Sequence, residues 1–213
     1  MIVRTIVVAT SKVKVCRTEG TAVSTDTAVR EINGVELPQT GDWVIDPAHS
    51  SIEAVARHMV VTKVRGHFEE FSGTLHIDED PTKSWAEASI KAASINTNAP
   101  DRDAHLRSPD FLNADEFPEL SFRSTRLSHK AANRYEVVGD LTIRGVTRPV
   151  SLDVQFGGVV RDPFGQTKAL FSASTKLERE SWGINWNQAL EAGGVLVSKS
   201  LDVEIEIQAV LQS

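Results

Sequence analysis

Residues 43–75, WVIDPAHSSIEAVARHMVVTKVRGHFEEFSGTL, decide the fold class. Inside this stretch the side chains from Ile52 to His58 alternate between two faces. One face carries Ile52, Ala54, Ala56 and His58, and the other carries Glu53, Val55 and Arg57. A period of two residues is typical of a β-strand with one face turned inward. Arg65-Gly66 interrupts the run, and a second extended segment with Phe68 and Phe71 follows.

The same alternation recurs along the rest of the chain. It is found over residues 86–92, 120–123, 137–143, 150–156, 169–177 and 201–209. Turn signals such as Gly157-Gly158 and Asp162-Pro163-Phe164-Gly165 separate these segments. Such a series of strands favours an antiparallel barrel or sandwich. Residues 98–117 differ in character and predict a short helix over residues 101–107, and a second short turn is expected across residues 180–184.

Many of the inward positions are occupied by alanine, namely Ala54, Ala56, Ala86, Ala88, Ala92, Ala169 and Ala173. A barrel of about eight strands is wide enough to be filled by side chains or to hold one small ligand. Normal packing density would require large residues opposite these alanines, yet aromatic residues make up only 6% of the chain. Two interpretations follow: a ligand-sized cavity, or alanines that face one another where two sheets come close.

Composition and charge narrow the class of protein. The chain has 213 residues and a net charge of −6, which argues against a nucleic-acid-binding surface. Its single cysteine, Cys16, excludes an internal disulfide. The apolar run at residues 6–9 is too short for a secretory signal or a transmembrane segment, so we expect a cytoplasmic protein. Residues 1–40 are expected to form a flexible extension before a domain over residues 41–213. One hypothesis is that residues 1–17 precede the native start.

Candidate catalytic groups are few. Asp101, Asp103 and His105 alternate in a charged loop, and two hypotheses fit them. The acids either begin a helix and pair with nearby arginines, or they serve with His105 as metal ligands or acid/base groups of a hydrolase or isomerase. The inward His58 is bonded either to a neighbouring side chain or to a ligand head group. No nucleophile motif or phosphate-binding loop is present, and we expect neither a cofactor nor a metal.

Three segments of the chain resemble the YceI-like family of small bacterial lipid-binding proteins. They are residues 43–75, the loop DRDAHLRS at 101–108 and GDLTIRGVTRPV at 139–150, and the resemblance spans about residues 42–210. It implies an all-β fold: an antiparallel lipocalin-like β-barrel of about eight strands with one or two short helices, around a long apolar channel. It also implies non-catalytic binding, transport or storage of an amphiphilic lipid such as a polyisoprenoid or isoprenoid quinone. A homodimer is a further expectation from the resemblance.

The predicted ligand-binding residues fall into three groups. Ala54, Ala56, Phe122, Phe156, Phe171 and Ala173 are expected in the channel wall, Arg57, His58, Arg102 and His105 at the head group, and Phe111, Phe117 and Trp186 around the mouth. The other hypotheses are the hydrolase or isomerase described above and an interaction module without a natural ligand.

Overall fold

The computed structural model describes residues 28–32, 34–59, 61–189 and 195–212. Predictions about Cys16 and about residues 1–17 lie outside the described residues. The described part contains thirteen strands: β1 (Val29–Ile32), β2 (Val35–Pro38), β3 (Gly41–Ile45), β4 (Ser51–His58), β5 (Thr62–Phe68), β6 (Phe71–Ile77), β7 (Trp85–Lys91), β8 (Ile95–Asn96), β9 (Glu119–Ala131), β10 (Arg134–Ile143), β11 (Val146–Arg161), β12 (Thr167–Glu178) and β13 (Ser200–Leu211).

Eight antiparallel strand positions form a closed barrel. The ring runs β12-β11-β10-β9-β7-β6-β3-β13, and pairing of β12 with β13 closes it. β13 pairs with both β3 and β4, while β6 pairs with β3 and β5 with β4. β3–β4 and β5–β6 are therefore two long wall strands, each broken in the middle. The predicted all-β barrel is confirmed.

The break between β3 and β4 follows from the Asp46-Pro47 pair. A 3₁₀ turn spans Pro47–His49, with Asp46 as its N-cap, and the Asp46 side chain accepts a hydrogen bond from the backbone N–H of Ala48. Proline at the first position of a turn has no N–H that would be left unpaired. The chain then resumes its extended course into β4 with the inward phase predicted from sequence.

Short helical elements lie at one end of the barrel. Helix α1 spans Pro100–Arg107 and covers the predicted residues 101–107, and a 3₁₀ turn at Arg179–Trp182 overlaps the turn predicted across residues 180–184. Trp182 is buried and donates from Nε1 to the carbonyl oxygen of Leu141, which fixes this turn to the barrel wall. Of the helices in the described part of the chain, none is both long and apolar enough to cross a membrane.

A hairpin of β1 and β2 covers the other end. Leu37 is 8% exposed and belongs to a cluster with Trp43, Tyr135 and Phe156. The hydroxyl of Tyr135 donates to the carbonyl oxygen of Glu36 at 3.3 Å. Residues 29–38 are thus packed against the barrel and are not part of a flexible extension. The expectation was based on local composition, which does not report partners that are distant in sequence. For residues 1–27 the flexible extension stays a prediction outside the described residues.

Gly139 lies at an irregularity of β10, the strand that covers the predicted residues 137–143. A Cβ atom at this position would lie 2.4 Å from Cζ of Phe122 and 2.6 Å from the backbone oxygen of Arg123. The pairing of β10 with β9 also shifts register between Val138 and Gly139. The phenyl ring of Phe122 therefore lies over a backbone that has no side chain, which lets the wall approach closely at the bulge.

Candidate functional site

The barrel encloses a cavity of about 910 Å³ that runs between its two ends. Its walls are mainly apolar side chains from the inner faces of the strands. Five of the predicted inward alanines line it: Ala54, Ala56, Ala86, Ala88 and Ala173. Ala92 and Ala169 are instead fully buried in the packed clusters at the two ends. The small inward residues had two interpretations, a ligand-sized cavity or closely packed sheets. The structure agrees with the cavity.

All but one of the predicted ligand-binding residues line this cavity. They are Ala54, Ala56, Arg57, His58, Arg102, His105, Phe111, Phe122, Phe156, Phe171, Ala173 and Trp186. The exception is Phe117, whose ring lies against Gly145; a Cβ atom there would be 2.9 Å from Cε1 of Phe117. Phe117 thus packs in the loop before β9 and is absent from the cavity lining. Ligand contact at all thirteen positions stays a prediction.

Aromatic side chains from two separate segments meet at the α1 end. The imidazole of His105 lies edge-on to the rings of Trp186 and Phe111, with centroid distances of 4.7 and 5.0 Å. Its Nε2 is 2.9 Å from a carboxylate oxygen of Asp110. His58 lies at the end of β4, and its backbone forms an antiparallel β-bridge with Val197. Its imidazole ring has no hydrogen-bond partner among the described residues. This end of the cavity therefore combines apolar rings with polar edges.

The charged loop is organised around Asp103. This carboxylate is 6% exposed and accepts hydrogen bonds from the backbone N–H of Thr97, at 2.8 Å, and from its hydroxyl. Burial by itself would raise the pKa of Asp103, but the hydrogen bonds from Thr97 and the backbone N–H, with the charge of Arg107, outweigh it and lower the pKa. Arg102 donates to the hydroxyl and the carbonyl of the same Thr97.

This arrangement favours the structural hypothesis for the loop. Asp101 and His105 line the cavity. Asp103 is absent from the lining, and its carboxylate accepts a hydrogen bond from the backbone N–H of Thr97, before α1. The three groups of the hydrolase or isomerase hypothesis are therefore not gathered at one point. Within the described ranges, no three His, Cys, Asp or Glu side chains are close enough together to hold a metal ion.

Arg179 is a site residue that the sequence analysis missed. Its side chain is 3% exposed and lines the cavity at the α1 end. It donates from Nε to the carbonyl oxygen of Ser198 and from Nη1 to those of Ile184 and Trp186. Burial lowers the pKa of Arg179, and the nearby charge of Glu180 opposes this shift. A signal existed, because the inward alternation through Leu177 reaches residue 179 in the same phase.

Comparisons with known proteins agree with this barrel. The family model of the YceI-like domain matches residues 43–209. A UPF0312 protein of Staphylococcus aureus is 40% identical over 171 residues, which is 79% of this chain and 95% of the relative.

Two solved structures share the fold. BcnA of Burkholderia cenocepacia aligns with a TM-score of 0.68 at 20% identity and covers 77% of this chain and 98% of its own. A polyisoprenoid binding domain from Saccharophagus degradans, implicated in plant cell wall breakdown, aligns with a TM-score of 0.57 at 13% identity and covers 82% and 100%. At these identities the likeness concerns the fold alone. The family match and the staphylococcal relative together show that this chain belongs to the YceI-like family.

Proposed function

We propose that this chain binds, and thereby transports or stores, an amphiphilic lipid with a long apolar tail, without changing it chemically. A polyisoprenoid or the tail of an isoprenoid quinone is the ligand class that we favour. The observation that carries the proposal is the apolar cavity of about 910 Å³ along the barrel. Ligand pockets commonly measure about 300–1,000 Å³, so this one is at the upper end of that range.

The energetics suit a flexible chain. Burial of a methylene group contributes up to about 0.8 kcal/mol. The costs of binding reduce the net binding free energy of large ligands to about 0.3 kcal/mol per non-hydrogen atom. A tail of about 30 carbon atoms would then gain about 9 kcal/mol, which corresponds to a Kd just below 1 μM. Such a ligand needs no specific polar contact along its tail.

Most of the charged and imidazole side chains lie at the α1 end, where His58, Arg102 and His105 line the cavity, and Arg30 of β1 lines it at the hairpin end. This distribution supports a ligand with one polar head and a long tail. The polyisoprenoid bound by the domain from Saccharophagus supports an isoprenoid tail in particular. The lack of a gathered acid, base and nucleophile in the described lining supports binding without catalysis.

The test uses native extraction followed by titration. Mass spectrometry of an organic extract of the purified full chain should reveal a lipid with a long tail. The delipidated protein should then bind polyprenols and isoprenoid quinones in a tryptophan fluorescence titration, because Trp186 lies in the cavity wall. Failure to bind any polyprenol, quinone or fatty amide would refute the proposal. A stoichiometric metal in place of a lipid would instead favour the hydrolase or isomerase hypothesis.

A further inference from the structure

We propose that the α1 end of the cavity selects lipids with an anionic head group, a carboxylate or a phosphate monoester, and that Arg179 is the residue that binds this group. The inference rests on the proposed function, since it concerns the head of a ligand whose tail occupies the barrel. It adds a substrate class and a specificity-determining residue to that function.

The hydrogen bonding of Arg179 is incomplete. Nε donates to the carbonyl oxygen of Ser198 at 2.9 Å, and Nη1 donates at 2.8 Å to those of Ile184 and Trp186. Nη2 is buried and has no acceptor among the described residues. A guanidinium carries five N–H donors, and a buried donor of a charged group is costly when it is left without an acceptor. An acceptor supplied by a ligand in the cavity would remove this cost.

Among the residues that the structure describes, no ion pair compensates the charge of Arg179 directly, because the nearby carboxylate of Glu180 pairs with Lys199 at 3.1 Å. The described part of the chain places no carboxylate oxygen within 4.0 Å of its guanidinium. The three carbonyl oxygens satisfy hydrogen bonds, but they carry no net charge. A buried cation without a counterion is unfavourable, and an anionic ligand would supply the missing partner.

Two further arginines at this end of the cavity add to the positive potential. The backbone of Arg57 lies beside Arg179, since it exchanges hydrogen bonds of 2.9 Å with Ser198, whose carbonyl oxygen accepts from Arg179, and the side chain of Arg57 is exposed at this end of the barrel. Arg102 lines the cavity from α1. Neither forms an ion pair within the described residues. A lining with unpaired positive charges attracts anions in a low-dielectric cleft.

The acidic residues of the lining do not offset these charges. The carboxylate of Glu53 pairs with Arg65 at 3.3 Å, and that of Glu87 pairs with Arg123 at 3.4 Å. Asp101 lies in the first turn of α1, where the helix N-terminus favours a negative charge. The positive end is therefore a local feature of a protein whose net charge is −6.

The chemistry of the guanidinium favours an anion over a neutral oxygen. A planar guanidinium binds a carboxylate or a phosphate through short, charge-assisted hydrogen bonds. A quinone carbonyl or an alcohol would accept a hydrogen bond from Nη2 but would leave the charge of Arg179 without a counterion. The head group is therefore expected to be an oxyanion.

The test compares lipids that share one tail. Delipidated full-length protein is titrated with geranylgeraniol, geranylgeranyl phosphate and geranylgeranoic acid at equal ionic strength. The two anionic lipids should bind at least about tenfold more tightly than the alcohol, which equals about 1.4 kcal/mol. The ratio between them identifies phosphate or carboxylate as the preferred head. Equal or tighter binding of the alcohol overturns the anion site but leaves the carrier proposal intact, whereas no binding of any of the three overturns the proposed function.

Substitutions then assign the preference to residues. Arg179→Gln should abolish the advantage of the anionic lipids over the alcohol, because the hydrogen bond between the charged guanidinium and the oxyanion is the interaction removed. Arg57→Gln, whose side chain holds no backbone group, should reduce the advantage by a smaller factor. Arg161→Gln is the matched control, since Arg161 pairs with Thr167 at the start of β12, whereas Arg179 follows the end of that strand, and the replacement removes the same charge.

A second measurement uses the wild-type protein and therefore does not depend on the folding of Arg179→Gln. The side-chain Nε–Hε NMR signal of Arg179 in the wild-type protein should shift on addition of geranylgeranyl phosphate and not on addition of inorganic phosphate alone. An unshifted signal in the saturated complex, or an anion preference that Arg179→Gln retains, would overturn the assignment.

Discussion

The replacement Ala173→Trp tests whether the interior of the barrel is a ligand channel. Ala173 lies near the middle of β12 and pairs with Val154 on one side and Ile205 on the other, and all three residues line the cavity. An indole ring at this position enters space that the structure leaves open. The ring adds about nine heavy atoms to the interior, and each would displace about one atom of a bound chain.

The expected loss of affinity follows from that displacement. At about 0.3 kcal/mol per ligand atom, the loss is about 3 kcal/mol, or about a hundredfold in Kd. The unfolding free energy of the delipidated variant should remain at or above that of the wild type, because the new ring buries apolar surface without displacing protein atoms. A filled core would behave differently and would lose about 1–3 kcal/mol through overpacking.

Ser174→Trp is the matched control for this replacement. Ser174 is the next residue along β12, is exposed and points to the outer face. The same indole should there leave polyprenol affinity unchanged. Urea unfolding of the delipidated proteins and fluorescence titration with a polyprenol give the paired readout. A destabilised Ala173→Trp variant that still binds lipid like the wild type would refute the hollow interior.

Three further predictions concern the walls and the ends of the barrel. Leu37→Ala should lower the unfolding free energy by about 2–5 kcal/mol, since this buried side chain fixes the β1–β2 hairpin to the barrel; an unchanged urea midpoint would show that the hairpin is not docked. Gly139→Ala should cost about 1–3 kcal/mol, because its Cβ would lie 2.4 Å from the ring of Phe122, and thermal unfolding would contradict the clash if the variant equals wild type. The bond between Lys168 and Asp46, at 2.8 Å, lowers the pKa of the carboxylate and raises that of the amine. The stabilisation by Asp46 is thus present above its unfolded pKa of about 3.9 and is lost as the pH falls through the lower folded value; Lys168→Met should flatten this acid limb in urea unfolding measured against pH, and an unaltered limb would contradict the pairing.

The sequence alone determined the wall of the barrel. Period-two alternation is a local property, so the inward phase of residues 52–58 and 169–177 was predictable without knowledge of their partners. The helix over residues 101–107 was equally local, since its proline and acidic residues mark a helix start. Small inward residues such as Ala56 and Ala173 indicated the hollow interior, but both interpretations of them fitted until the strands were closed into a ring.

Only the tertiary structure decided which residues meet at the two ends. Leu37 is buried because the chain brings Tyr135 and Phe156 against it, and no pattern near residue 37 reports that contact. Arg179 lies in the cavity wall because three carbonyl oxygens from residues 184–198 hold its guanidinium. Phe117 was expected around the mouth of the barrel, but its ring packs against Gly145. Burial depends on neighbours that are distant in sequence, so the faces of the strands are encoded locally, whereas the lining of the ends is not.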